Sequence, residues 1–500
     1  MTARKEKKIL LIEPPFYRLF KNTYALDRYP LSLGYLAAVI SQKTTWEVMA
    51  YNADFYPARD PIKVSYLSGA GFDNYLANLK NPAGAIWKEI KSVIAGYNPM
   101  VLGISAKSQN FTSACMITRI AKEINKDIIV IIGGVHPSLT GRDVFKNAAI
   151  DISVRGEGED TIIELLNAIE SLRSLEGIKG IIYRKNDLLI ENLPREYIKD
   201  LDSLPFPGDS ARRLLKGYAK YPKAAFSHIF TSRGCPYNCF FCSSRNIWNR
   251  RVRARSPENV IKEIKALREQ GVRIFDFVDD NFGINKEHII DLCNALIRHC
   301  PDIKWSCELH VNLVEEEAIS FMKKAGCFLI QIGVESGNNE ALSRIRKNIT
   351  IEKALSAAKI IKKYGIKLQA FFIIGFPWDT EASLDDTVKA MRKIKCDILT
   401  YSIFTPYPAT EAFEFCKENG LIKEDYDVSL YNHQSPANNF CINIPPRRFR
   451  MLASKIERMV DRRNSINRIK RIFSPATFFM IRELGISRSI HKGTQILLGK

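Results

Sequence analysis

Short apolar runs alternate with amphipathic stretches along this chain, and they fall into two series. The first predicts strands at Lys8–Ile12, Glu47–Tyr51, Met100–Ile104, Asp127–Ile132 and Ile150–Val154. Helices are expected at Leu31–Ser41, Ser113–Ile124, Arg142–Asn147 and Asp160–Ile169, with a long excursion before Asn98. This order predicts a doubly wound, Rossmann-like parallel sheet, which binds ligands at the carboxyl ends of its strands. Lys179–Lys185 and Leu188–Ile190 read as a hairpin, and the turn-rich Leu204-Pro-Phe-Pro-Gly-Asp209 marks a boundary. The second series places strands near Ile229, Ile274–Val278, Lys304–Cys307, Leu329–Ile332, Leu368–Ile373 and Ile398–Ser402. Helices with apolar spacing such as Ile289, Leu292, Cys293, Leu296 and Ile297 separate them. Six strand–helix units fit a partial (β/α)6 barrel of TIM type, with reactive residues at the carboxyl ends of its strands. The expected α/β organisation is 1–178 for the first domain, 179–222 for hairpin and linker, 223–425 for the barrel and 426–500 for a C-terminal helical region.

Composition adds constraints. The 46% apolar content suits a globular chain. No apolar run reaches the roughly 18 residues of a spanning helix. The start, Met1 to Ile12, lacks the h-region and cleavage site of a signal peptide. Eleven cysteines in 500 residues make no disulfide scaffold. The net charge of +20 is uneven: Pro446 to Lys500 holds 14 Lys or Arg against 3 Asp or Glu. Such a tail attracts phosphate, whether of anionic lipid, nucleic acid or a phosphorylated substrate.

The sharpest chemistry lies in Thr231-Ser-Arg-Gly-Cys-Pro-Tyr-Asn-Cys-Phe-Phe-Cys242. A C-x3-C-x2-C loop presents three thiolates, Cys235, Cys239 and Cys242, to three irons of a cubane iron–sulfur cluster and leaves the fourth iron open. A zinc site is the alternative, but it needs a fourth ligand, and no nearby Cys or His has ordinary zinc spacing. The loop resembles the cluster motif of the radical S-adenosylmethionine (SAM) enzymes. The resemblance implies a [4Fe-4S] cluster whose open iron is chelated by SAM, with Phe241 against the adenine. An oxygen-sensitive cluster needs a reducing compartment, so a cytoplasmic location is expected.

The flanks resemble the subgroup that carries an N-terminal cobalamin domain, and the two matched regions span roughly residues 8 to 420. The matching loops are Pro30-Leu-Ser-Leu-Gly-Tyr-Leu-Ala-Ala38, Gly103-Ile-Ser105, Gly133-Gly-Val-His-Pro-Ser138 and Gly156-Glu-Gly-Glu159. The resemblance implies cobalamin contacts at Ser105, Gly133, Gly134, His136, Gly156 and Glu157. Gly156-x-Gly158 lacks the third glycine of a dinucleotide fingerprint. The Asp-x-His-x-x-Gly of many cobalamin domains is also missing, so no protein histidine is expected on cobalt. The plain reading of His136 is a loop residue that shapes the pocket floor.

Three barrel strand ends carry the implied SAM contacts: Val278-Asp-Asp-Asn-Phe282, Gly333-Val-Glu-Ser-Gly337 and Gly375-Phe-Pro377. They supply Asp279 or Asp280, Glu335, and Gly375 with Pro377. The usual Gly-Gly-Glu segment is absent, which leaves the choice of aspartate open, and each acid could instead cap a helix. Arg251, Arg253 and Arg255 either bind an anionic substrate or solvate a loop. The remaining cysteines show no second cluster motif and read as core residues.

The resemblance implies a cobalamin-dependent radical SAM enzyme. It would cleave SAM to a 5′-deoxyadenosyl radical and methylate an unactivated carbon or phosphorus of a lipid or small molecule. A non-methylating cyclisation or rearrangement on the same architecture is the first alternative, and a non-catalytic cobalamin or iron–sulfur sensor the second. An external electron donor such as flavodoxin or ferredoxin is implied. The basic C-terminal region is expected to form amphipathic helices that cap the barrel mouth or touch a membrane surface. No recognised RNA module accompanies the charge, so nucleic acid is not expected.

Overall fold

The structure, a computed structural model, describes residues 6–472 except 27, 63, 147–148, 187, 424–425, 433–434 and 436–437. Strands β1 (Lys8–Glu13), β2 (Glu47–Asn52), β3 (Val101–Ser105), β4 (Ile129–Gly133) and β5 (Ile152–Val154) form a parallel sheet in the order β2-β1-β3-β4-β5. Side chains alternate across it. Ile9 and Leu11 join the apolar cluster of helices Leu31–Lys43 and Glu159–Glu170. Leu10 and Ile12 join that of Ala85–Tyr97 and Phe111–Ile124. Both faces are thus covered, as a parallel sheet requires.

The expected hairpin is present, but it belongs to this sheet rather than to a linker. β6 (Ile181–Lys185) pairs antiparallel with β5, and β7 (Leu188–Glu191) with β6. Burial of Ile181, Ile182 and Tyr183 against the sheet holds it there. After β4 the chain turns at once into a helix, Val135–Thr140, and the helix expected at Arg142–Asn147 is a 3₁₀ segment, Gly141–Lys146.

β8 (His228–Ile229) opens the second sheet. β9 (Ser232–Arg233) and β10 (Arg253–Ala254) form a small antiparallel ribbon at the base of the cysteine loop. β11 (Ile274–Phe277), β12 (Lys304–Glu308), β13 (Cys327–Glu335), β14 (Lys367–Ile374) and β15 (Ile398–Ile403) then add to β8 in chain order, all parallel. β8 and β15 do not pair, so the barrel is open, as expected. The apolar cluster on one face of the first sheet continues into the barrel, so the two domains share a core.

The C-terminal region departs from expectation. Helix Pro446–Ile472 closes the free edge of β15 and meets the mouth only at its first turn, where Phe449 covers Gly375. Asn464 accepts from the Leu399 N–H at 2.9 Å and donates to the Leu399 carbonyl at 2.8 Å. Its amide therefore substitutes for a neighbouring strand. Arg463 donates to the carbonyls of Met391 and Ile394, which end helix Glu381–Lys393. The rest of the expected basic region, 473–500, lies outside the described residues. Among the described residues no helix is long and apolar enough to cross a membrane.

Replacing Asn464 by Leu leaves the strand edge without either partner. The expected cost is about 1–3 kcal/mol, read as a lowered thermal midpoint. An unchanged midpoint would show that water serves that edge as well.

Candidate functional site

The cysteine loop starts from a strained turn. Gly234 has φ +102°, and a Cβ there would lie 2.0 Å from the Arg251 carbonyl oxygen, so only glycine fits. Its N–H donates to Asp280 Oδ2 at 3.0 Å. Further on, Phe240 N–H donates to the Ile345 carbonyl at 2.9 Å, and Cys242 N–H to that of Cys239 at 3.1 Å. Cys235, Cys239, Cys242 and Phe241 line one cavity of about 410 Å³ at the carboxyl ends of the barrel strands. Burial pushes the Cys235 and Cys242 thiols up to about 11, so a metal centre there has to displace their protons. Among the described residues no three His, Cys, Asp or Glu side chains converge on a single-ion site. Three cysteines on one short loop beside one cavity are the ligand number of a cubane with an open iron. The other eight cysteines are all buried and free.

The two aspartates after β11 divide their work. Asp279 accepts from Thr231 N–H at 2.6 Å, Thr231 Oγ1 at 2.7 Å and Ser232 N–H at 2.7 Å. That carboxylate is spent on the loop entrance and lies off the cavity, and its burial raises it to about 7. Asp280 lines the cavity. So does Glu335, which sits at φ +67° and is paired with Lys347 Nζ at 2.8 Å. Burial alone would lower the Lys347 ammonium, but Glu335 beside it, together with Cys239, holds it raised. Gly375 and Pro377 are not brought to the cavity. The Phe449 ring covers Gly375, and the Pro377 carbonyl accepts from Ile442 N–H at 2.8 Å.

Sequence reasoning missed several cavity residues, among them Lys347, His310 and Glu308. Lys347 carries no motif. His310 follows β12 and stacks on Tyr237 with ring centroids 3.6 Å apart. Burial lowers it to about 3, so it is neutral. Glu308 ends β12 on the cavity wall, open to it, where desolvation by the surrounding walls raises its carboxyl. Its position at a barrel strand end was the available signal.

A second cavity, of about 350 Å³, lies between the domains. Ser105, Gly133, Gly134, Gly156 and Glu157 line it from the first domain, and Phe230, Ser232, Arg233 and Trp248 from the barrel. Asp280 lines both cavities. Gly156 has φ +77° with nothing within 4 Å of a would-be Cβ, so bare backbone faces the space. This largely apolar, glycine-edged cleft at strand ends suits a large flat ligand.

Two expected contacts read differently. His136 is buried off this cavity, in helix Val135–Thr140. Its Nδ1 lies 3.1 Å from Ser108 Oγ, its ring is 4.1 Å from that of Phe111, and burial lowers it to about 4. It packs the loop rather than facing a ligand. The Glu157 carboxylate, although on the cavity wall, is taken by Arg233 at 2.5 Å, Arg253 at 2.7 Å and the Ile198 N–H at 2.8 Å. Arg253 therefore joins the domains. Arg255 is buried against Glu263 at 2.5 Å and Asn259 Oδ1 at 2.7 Å. Neither arginine is free for an anionic substrate, and only Arg251 of the three stays exposed.

Two strand-end cavities thus meet at Asp280, one between a Rossmann-like domain and an open barrel and one beside three cysteines in that barrel. The Radical SAM superfamily model matches residues 229–391, and the B12 binding domain model residues 64–166. Over 423 residues the chain is 33% identical to an uncharacterised methyltransferase of Pyrococcus horikoshii, covering 84% of this chain and 85% of that protein. It is 30% identical over 356 residues to the anaerobic magnesium-protoporphyrin IX monomethyl ester cyclase of Rubrivivax gelatinosus, covering 70% of this chain and 63% of the cyclase. The structure of the radical SAM methyltransferase TsrM from Kitasatospora setae, with cobalamin and a [4Fe-4S] cluster bound, superposes with a TM-score of 0.65 at 17% identity. That match covers 83% of this chain and 75% of TsrM. The chain belongs to the cobalamin-dependent radical SAM methyltransferase family. It is an enzyme whose cofactors are a [4Fe-4S] cluster, SAM and cobalamin.

The Glu335–Lys347 pair is buried, with side-chain exposures of 9% and 10%. Lys347→Met should destabilise the protein by about 3–5 kcal/mol, because Glu335 is left charged and alone. Lys347→Met/Glu335→Gln should recover much of that loss. Denaturant midpoints check both, and equal midpoints for single and double variants would refute the pairing.

Proposed function

We propose that this enzyme methylates an unactivated carbon or phosphorus of a small-molecule or lipid substrate held between its two cavities. Cys235, Cys239 and Cys242 are the ligand set for a [4Fe-4S] cluster. Ser105, Gly133, Gly134 and Gly156 are the backbone cradle for cobalamin. Bound there, the cluster supplies the electron for reductive SAM cleavage, and cobalamin supplies the methyl carrier.

The chain's own residues orient and exclude. Phe241 offers a face to the adenine of SAM. Asp280, held by the Gly234 N–H, is the acceptor for the methionine ammonium, since Asp279 is already saturated. The Glu335–Lys347 pair gives a carboxylate and an ammonium to the polar end of SAM. Phe371, Phe404 and Tyr407 wall the cavity and keep water from a reactive radical. They also favour a substrate with an apolar portion. The observation that carries this reading is the shared wall at Asp280, which brings the cysteine cavity against the interdomain cavity. A low-potential flavodoxin or ferredoxin is the electron donor we expect.

A non-methylating ring closure is the competing reading, supported by the Rubrivivax relative, which is a cyclase. Product analysis separates them. Anaerobically reconstituted enzyme, given SAM and reductant, should form 5′-deoxyadenosine and, only with cobalamin present, S-adenosylhomocysteine. Deoxyadenosine alone would favour cyclisation. Cys239→Ala should abolish the sulfur-to-iron absorption of the reconstituted protein, and an intact cluster spectrum would overturn the ligand assignment.

A peripheral membrane contact through the basic C-terminal region is supported by one feature of the helix leading into it. Ile466 and Ile469 are exposed among Arg462, Arg468 and Lys470. The full chain should co-sediment with phosphatidylglycerol vesicles at low salt and not with phosphatidylcholine vesicles. Equal recovery with both, or with neither, would refute an electrostatic membrane contact.

A further inference from the structure

The Gly156-Glu-Gly-Glu159 loop edges the interdomain cavity, and its two carboxylates leave the domain that carries them. Arg233, in β9, donates through Nη1 to Glu157 Oε1 at 2.5 Å and through Nη2 to Glu159 Oε1 at 2.6 Å. All three side chains are nearly closed to solvent, at 12%, 3% and 8% exposure. The guanidinium also lies 4.6 Å above the Phe230 ring and 5.6 Å above that of Tyr35, one aromatic from each domain. Arg253 takes the other oxygen of Glu157 and donates to the Ile198 carbonyl at 2.5 Å. The residue after Arg233 is Gly234, bound to Asp280, and the next is Cys235.

This geometry makes a short mechanical chain. A ligand in the interdomain cavity rests on Gly156 to Glu159 and on Arg233 itself. Two buried carboxylates and a buried guanidinium tolerate little displacement, because a lost partner strands a charge in low dielectric. The cysteine loop begins one residue further on. Packing and single hydrogen bonds such as Tyr75 to the Ser429 carbonyl join the domains elsewhere, but here a fork of two charge-assisted bonds fixes both distance and orientation.

We propose that Arg233 is a positioning residue that ties the cysteine loop to occupancy of the interdomain cavity. An occupied cavity holds the Glu157 and Glu159 carboxylates still, and through Arg233 it orders residues 233–242. Linkage makes the effect mutual: a loaded cysteine loop tightens the cavity for its ligand by the same factor. This rests on the reading that cobalamin occupies that cavity.

Hydrogen exchange on the full chain, with and without hydroxocobalamin, tests it. In the wild type, hydroxocobalamin should slow amide exchange both at 156–159 and at 233–242. Arg233→Gln should keep the first effect and lose the second. Cluster-loaded wild type should bind hydroxocobalamin about 5- to 150-fold more tightly than cluster-free protein, and Arg233→Gln should show no difference. Tyr75→Phe is the control, since it removes a separate interdomain hydrogen bond to the Ser429 carbonyl at 2.9 Å. Should Arg233→Gln fail to fold, Arg233→Lys keeps the charge but reaches one carboxylate only, and it should halve the protection or better at 233–242. Retained protection there in Arg233→Gln or Arg233→Lys, or equal loss in Tyr75→Phe, would overturn the proposal. If hydroxocobalamin changed neither loop of the wild type, the cobalamin reading would fall, and the relay with it.

Discussion

Everything at the barrel mouth depends on two consecutive carboxylates at the end of β11. Asp279 holds Thr231 and Ser232, and Asp280 holds Gly234. Between them they fix the chain as it enters the cysteine loop. Asp279 is buried, where a carboxylate without donors is costly, while Asp280 is open to the cavities it lines. The loop therefore cannot drift away from β11 without leaving those charges unpaired. A loop of eight residues from Cys235 to Cys242 has few ways to spread three thiolates, and anchoring its first residues removes most of the rest.

From that anchor the two domains are set in register. Arg233 lies between the Asp279 and Asp280 contacts, so the same short segment faces Glu157 and Glu159 of the first domain. One face of the first sheet shares its apolar core with the barrel, which brings the strand ends of both domains together. The interdomain cavity is consequently built by both: glycine backbone from one side, Phe230 and Trp248 from the other. Asp280, lining both cavities, is the point at which loop anchoring and cavity geometry coincide.

Much of this was legible in the residues because it is local. The run Ile9 to Ile12 can be little else than a buried parallel strand, and the expected Ile274–Val278 became Ile274–Phe277. Cysteine spacing declares a cluster loop without any tertiary knowledge. The unread features are long-range. Glu157 looks like part of a ligand loop, and its true partners lie 76 and 96 residues away. Lys347 meets Glu335 from 12 residues further on, after the intervening helix Asn339–Arg344. The Gly375-Phe-Pro377 turn sits at the expected strand end, but Phe449 of a distant helix covers it. That helix reads as a mouth cap from its basic, aromatic composition, yet the unmet need it serves is the bare edge of β15, which no composition reveals.

Charge distinguishes the interior from the surface. The chain carries a net +20, which by itself suggests attraction to phosphate, whether of anionic lipid, nucleic acid or a phosphorylated substrate. The cysteine cavity argues otherwise. Its aspartate, glutamate, lysine and arginine lining is Asp280, Glu308, Glu335 and Lys347, and that single lysine is already paired with Glu335. Arg253 and Arg255, close to the loop in sequence, are consumed by Glu157 and Glu263. An anionic phosphate entering this cavity would meet two carboxylates without a compensating free cation, whereas the sulfonium and ammonium of SAM, which outnumber its one carboxylate, would be stabilised there. The basic excess thus belongs to the outer surface and the C-terminal region. Phe371, Phe404 and Tyr407 complete the wall of the cysteine cavity with aromatic surface, beside the Glu308 carboxylate.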